Sequence, residues 1–224
     1  MNAGLSALLV VVLILALGLV AVERGRGGAK EMALVATLGA AAAAGRVLFA
    51  PIPSVQPVTV MCLVTGAALG PRAGLAVGPI AGLVSNSFLG QGPWTPPQMA
   101  LWAGAGLTGA LLRTVCRRAV GLAAVAFAWG VLFGWAMNLW YLATFGPEVS
   151  AASMVLAGAR SLPFDLAHAT GNAVIAVVAG PALLRLLGRY AVRIRTEVVS
   201  PSPAPAHVRA GPPPPAPPAP VRPR

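Results

Sequence analysis

Acidic residues are nearly missing from this chain. Only 5 Asp and Glu stand against 16 Lys and Arg, and charged residues make up 9% of its 224 positions. A soluble domain carries about a quarter charged residues. The shortfall, with 57% hydrophobic content and a mean hydropathy of +0.80, excludes a soluble globular fold and points to an integral membrane protein. Cysteine is just as sparse. Cys62 and Cys116 lie far apart with neither CxxC spacing nor a neighbouring histidine, which removes a disulfide framework, a redox pair and a zinc site. Both read as small apolar residues. Aromatic residues are few, and no basic groove interleaved with rings occurs, so the formal charge of +11 does not signal nucleic acid. The chain has no GxxxxGK[ST] loop, no HExxH and no GxSG-like serine with a paired histidine. It therefore brings no nucleotide-driven motor, metal centre or serine nucleophile of its own, and no cofactor is expected.

What is there is a series of apolar runs, at about residues 5–22, 32–49, 58–69, 73–89, 99–112, 120–144 and 166–187. They are rich in Ala, Leu and Gly and lack two-residue alternation, so the expected fold is all-α, a helical membrane bundle and not a barrel. The third to fifth runs fall short of the roughly 20 residues a lone span needs, which implies tilting or packing inside the bundle. Basic residues mark every second connection. Arg24, Arg26 and Lys30 follow the first run, Arg72 the third, Arg113, Arg117 and Arg118 the fifth, and Arg185, Arg189, Arg193 and Arg195 the seventh. The positive-inside rule makes those connections cytoplasmic and puts the N-terminus and residues 50–57, 90–98 and 145–165 outside, with only Arg46 and Arg160 basic on that side. The first run lacks a basic n-region and a small-x-small cleavage site, so it reads as a retained helix rather than a signal peptide. The tail at 200–224, "SPSPAPAHVRAGPPPPAPPAPVRPR", has no core-forming residues and reads as a disordered, partly polyproline spacer in the cytoplasm.

Polar side chains gather on the outer side. The first outer connection, "APIPSVQP", is bounded by Arg46 and Gln56. The second, in "SNSFLGQGPWTPPQM", crowds Asn86, Gln91, Trp94 and Gln98 among glycines and prolines that suit a shaped loop, a lid or pocket wall. The third leads into "RSLPFDLAHATGN", where Asp165, His168 and Asn172 stand at i, i+3 and i+7 and so share one helix face. Two readings of that face stand side by side: a polar wall of an outward-facing pocket, or Asp165 capping a helix that begins after Pro163 and pairing with His168. Asn138 interrupts "FGWAMNLWYLATF", whose tryptophans and tyrosine suit an interfacial belt, and a buried amide there needs partners. On the second run, Ala36, Ala40 and Ala44 recur at spacing four and allow close helix approach, within the bundle or against a partner.

The segments "GRVLFAPIPSVQPVT", "TGAALGPRAGLAVGPIAGLVSNSFLGQGPWTPPQMALW" and "LPFDLAHATGNAV" resemble the substrate-binding membrane subunits, the S components, of energy-coupling factor transporters. The resemblance implies a six-helix substrate-binding domain at 32–190. It leaves 1–31 as an additional N-terminal helix with a basic linker and 191–224 as the proline-rich tail. It also implies a non-enzymatic role: binding a vitamin or related micronutrient from outside, and delivering it inward with a membrane coupling subunit and two cytoplasmic ATPases. A corrinoid is the favoured ligand among vitamins. The substrate-facing positions would be Arg46, Gln56, Asn86, Gln91, Trp94, Gln98, Asn138, Asp165, His168 and Asn172, and Ala36, Ala40 and Ala44 would meet the coupling subunit. No metal site is implied. The competing expectation is a membrane enzyme or accessory protein working through Asp165 and His168.

Overall fold

The computed structural model describes residues 29–146 and 148–199, with side chains as far as Val192. The run at 5–22 and the tail at 200–224 lie outside the described residues. Among those residues there are eight helices and no strand: α1 (Ala29–Leu48), α2 (Val58–Leu69), α3 (Pro71–Leu89), α4 (Thr95–Leu111), α5 (Arg113–Cys116), α6 (Ala119–Phe145), α7 (Ala151–Val178) and α8 (Gly180–Val199). By length and composition α1 and α6 can each cross a membrane, and α7 with the first part of α8 makes a third such segment, bent by 58°. With 12 and 17 residues, α2 and α4 are too short to cross alone.

Three boundaries differ from the sequence reading. Gln98 lies inside α4, which starts at Thr95 with prolines in its first turn, where a missing N–H costs nothing; the connection before it is only residues 90–94. Residues 145–165 are not a long loop. A reciprocal Ser150–Ser153 capping box starts α7 at Ala151, and the helix runs straight through Pro163. Asp165 therefore stands deep within a helix and caps nothing. The run at 166–187 is two helices, because the chain bends at Ala179 before α8, which continues past residue 190 to Val199.

Close packing explains why so many glycines stand in helices. A Cβ on Gly106 of α4 would strike the Gly74 carbonyl of α3, one on Gly66 of α2 would strike the Gly106 carbonyl, and one on Gly109 would strike the Leu63 carbonyl. Backbones this close leave room only for hydrogen, so α2, α3 and α4 lock together through small residues. Trp102 of α4, fully buried, fills the space above Gly78 and Gly82 of α3. Antiparallel α6 and α7 zip together in the same way, with Gly130 on Ala169 and Gly134 on Asp165. Hydrogen bonds join the residues flanking the connections at 49–57 and 90–94, which share one end of the bundle, while the 49–57 connection meets α7 at Gly171, well along that helix from the connection at 146–150. At the arginine end, a cleft of about 170 Å³ opens between Ala68, Arg113, Arg117 and Leu184.

Candidate polar site at one end of the bundle

Arg46, in the last turn of α1, is the hub of a network drawn from four helix ends. Its Nε donates to Gln56 Oε1 at 2.8 Å, and its Nη1 donates to Ser85 Oγ at 2.7 Å and to Asn86 Oδ1 at 2.5 Å. The guanidinium carbon lies 5.1 Å from the ring centroid of Trp102, within cation–π range. Asn86, 1% exposed, turns its amide nitrogen the other way, donating to Thr95 Oγ1 at 2.9 Å and Gln98 Oε1 at 3.0 Å. Thr95 in turn donates to Gln91 Oε1 at 2.9 Å. Every acceptor around the guanidinium is neutral, and Arg46 makes no ion pair among the described residues.

An aromatic line leads from this hub towards α7. Trp102 and Phe133 have ring centroids 5.2 Å apart, as do Phe133 and His168, and His168 Nε2 lies 3.4 Å from Thr59 Oγ1 on α2. The connection after α1 reaches into the same region. Ser54 takes a left-handed φ of 61°, unusual for a residue other than glycine, and Val55 packs on the bare backbone of Gly171 in α7. Gln56 and Val55 are consecutive, so one short segment touches both Arg46 and α7.

Asp165, His168 and Asn172 do share a buried face, but they do not act together. Asp165 Oδ2 accepts from Ser161 Oγ at 2.7 Å, and Ser161 accepts from Asn138 Nδ2 at 2.7 Å, a chain that lies in the α6–α7 interface. Asn172 Nδ2 reaches the Ala126 carbonyl at 3.4 Å, while its buried Oδ1 has no partner. Gln91 and Trp94 are exposed, the Trp94 ring folding over Gly92 beside it. Arg160 is exposed on α7, and Ala36, Ala40 and Ala44 form an exposed face of α1 opposite the buried Val35, Leu38 and Ala42.

Sequence reasoning thus found Arg46, Gln56, Asn86 and Gln98 but missed Ser85, Thr95, Trp102 and Phe133. A signal for two of the four was present. Thr95, Gln98 and Trp102 stand at i, i+3 and i+7, the spacing that singled out Asp165, His168 and Asn172.

Chemically, the hub offers hydrogen-bonding groups and aromatic rings, and its hydroxyls, Ser85 and Thr95, pair with Arg46, Asn86, Gln91 and a backbone carbonyl rather than with a histidine or carboxylate. Among the described residues no three His, Cys, Asp or Glu side chains gather to hold a metal ion. The fold and this geometry define an all-helical protein, with helices able to cross a membrane and a polar, arginine-centred site at one end of the bundle. No family model, curated protein or solved structure matches the chain.

Proposed function

We propose that the chain is the substrate-binding membrane subunit of an energy-coupling factor importer. It takes a vitamin or related micronutrient from outside and passes it inward with a coupling subunit and two ATPases. The observation that carries this reading is the convergence on Arg46. "GRVLFAPIPSVQPVT" and "SNSFLGQGPWTPPQM" carry the family resemblance, and it is their polar residues, Arg46 and Gln56 from one, Ser85, Asn86 and Gln98 from the other, that meet through hydrogen bonds. A binding site built from helix ends and connections, whose hydroxyls have no histidine or carboxylate partner, suits capture rather than conversion. In this reading α1, α2, α3, α4, α6 and α7 are the six membrane helices and the Arg46 end faces outward. The arginine end faces the cytoplasm. The exposed alanine face of α1 is smooth enough for the coupling subunit. The competing reading, catalysis by Asp165 and His168, draws little from the geometry. The Asp165 carboxylate is engaged by Ser161, and His168 faces Thr59 and Phe133.

Purification of the protein under native conditions, followed by mass spectrometry of the co-purifying small molecules, tests the proposal. The expected result is one vitamin-like compound at near-equal stoichiometry, recovered chemically unchanged. An empty protein that also ignores a vitamin panel by calorimetry would overturn it.

A further inference from the structure

Resting on that reading, we infer that the ligand carries an anionic oxygen group, a carboxylate or phosphate, and that this group docks against the guanidinium of Arg46 and the indole N–H of Trp102. The argument begins with an unbalanced charge. Arg46 is partly buried in an apolar bundle, yet its partners are an amide oxygen from Gln56, a hydroxyl from Ser85 and an amide oxygen from Asn86. Removing a guanidinium from water is costly, and neutral acceptors recover only part of that cost. The three bonds use Nε and Nη1, which leaves Nη2 without a protein acceptor among the described residues. Arginine is a planar fork suited to two-point contact with carboxylate or phosphate.

Trp102 supplies the independent observation. It is fully buried, its Nε1 has no hydrogen-bond partner, and its ring lies under the Arg46 guanidinium. Buried indole N–H groups ordinarily find an acceptor. The Cε3–Cζ3 edge of the ring faces Gly82 of α3, so the edge bearing Nε1 points away from α3. Two strong donors close together, one charged and both short of an acceptor, describe half of an oxyanion site. Phe133 and His168, both buried, continue the line from Trp102.

The test uses the full chain in lipid nanodiscs and matched pairs of probes titrated by calorimetry: nicotinate with nicotinamide, biotin with biotinamide, pantothenate with panthenol, and pyridoxal 5′-phosphate with pyridoxal. At least one anionic member binds about tenfold or more tightly than its neutral partner, as expected for charge-assisted bonds. Whether a carboxylate or the phosphate is preferred names the source of the oxyanion. In Asn86→Asp a resident carboxylate neutralises Arg46 in place, and the preference for the anion disappears. Trp102→Phe keeps an aromatic face under Arg46 and removes the N–H together with part of the ring, so the readout is the ratio within a pair: the anionic member weakens several-fold more than its neutral partner. Equal binding of both members of each responding pair, or a neutral or cationic native ligand by mass spectrometry, would overturn the anion assignment while sparing the binding-subunit reading. No response to any probe together with no co-purifying ligand would remove both.

Discussion

Replacing Asn86 by alanine removes three hydrogen bonds at one stroke: the one from Arg46 and those to Thr95 and Gln98. Asn86 is 1% exposed, so water does not take its place at the Thr95 hydroxyl. A bond to a charged donor contributes about 1.5–3 kcal/mol and each neutral bond about 1 kcal/mol, for a gross loss of about 3–5 kcal/mol. Arg46 and Gln98 are partly exposed and recover some hydration, which brings the expected cost to about 2–4 kcal/mol. For a chain of this size that lowers the apparent Tm by roughly 5–15 °C. The assay is a thermal scan of detergent-solubilised protein beside Ser87→Ala. That neighbouring exposed hydroxyl donates to the Leu83 carbonyl within its own helix and accepts a long, exposed bond from Gln91 at 3.3 Å, and its loss changes stability by no more than about 0.5 kcal/mol. A double-mutant cycle with Arg46→Gln isolates the pair and is expected to show coupling of about 1–3 kcal/mol. If Asn86→Ala melted within a degree or two of Ser87→Ala, or the cycle showed no coupling, the hub would not be what holds these four helix ends together.

Other consequences can be measured separately. Gly106→Leu drives a side chain into the Gly74 carbonyl and is expected to abolish monodisperse protein in size-exclusion chromatography, whereas Gly188→Ala, with nothing within 4 Å of the added carbon, leaves it intact. Ser161→Ala strips partners from both Asn138 and Asp165 and costs about 1–3 kcal/mol in a thermal scan; Asp165→Asn keeps an acceptor for Ser161 and costs less. Under the proposed function, Ala40→Leu on the exposed face of α1 spares ligand binding and abolishes uptake by the assembled transporter, so intact uptake in that variant would show that the face is not the coupling surface.

How much of this could be read beforehand depends on which physical signal each residue carries. The helical class follows from composition, because long Ala, Leu and Gly runs without alternation admit little else. Arg46 stood out because charge on that side of the topology was otherwise nearly absent. The boundaries of α4 and α7 differ from the sequence reading for one reason: in a sequence, polar residues and prolines read as loop markers. Both markers are compatible with helix when a proline occupies a first turn, as at Pro96, or when the surrounding turns are held by packing, as around Pro163. Trp102 was hidden because tryptophan in an apolar run reads as core or belt. Its role depends on the guanidinium of Arg46, a contact between helices that no local pattern encodes. Asp165 shows the opposite failure, since its spacing with His168 and Asn172 put it on their face, while the bond that decides its role comes from Ser161.

These placements divide the molecule into parts with different mechanical character. The α6–α7 pair is zipped along its length by Gly130 on Ala169, Gly134 on Asp165 and the Asn138–Ser161–Asp165 chain, so it acts as a stiff wall. The glycine contacts of α2, α3 and α4 make a second stiff unit. Between them at the Arg46 end lies the segment at 49–57, which has no helix of its own, holds a left-handed Ser54 and is pinned by Gln56 on Arg46, Val55 on Gly171 and Pro57 on Gly45. All three pins are side-chain contacts, added to the segment's own turn hydrogen bonds, whereas the units on either side interlock through their backbones. Under the proposed function, a ligand oxyanion that draws Arg46 away from Gln56 would release one of the segment's three anchors and leave Val55 on Gly171 and Pro57 on Gly45 to hold it.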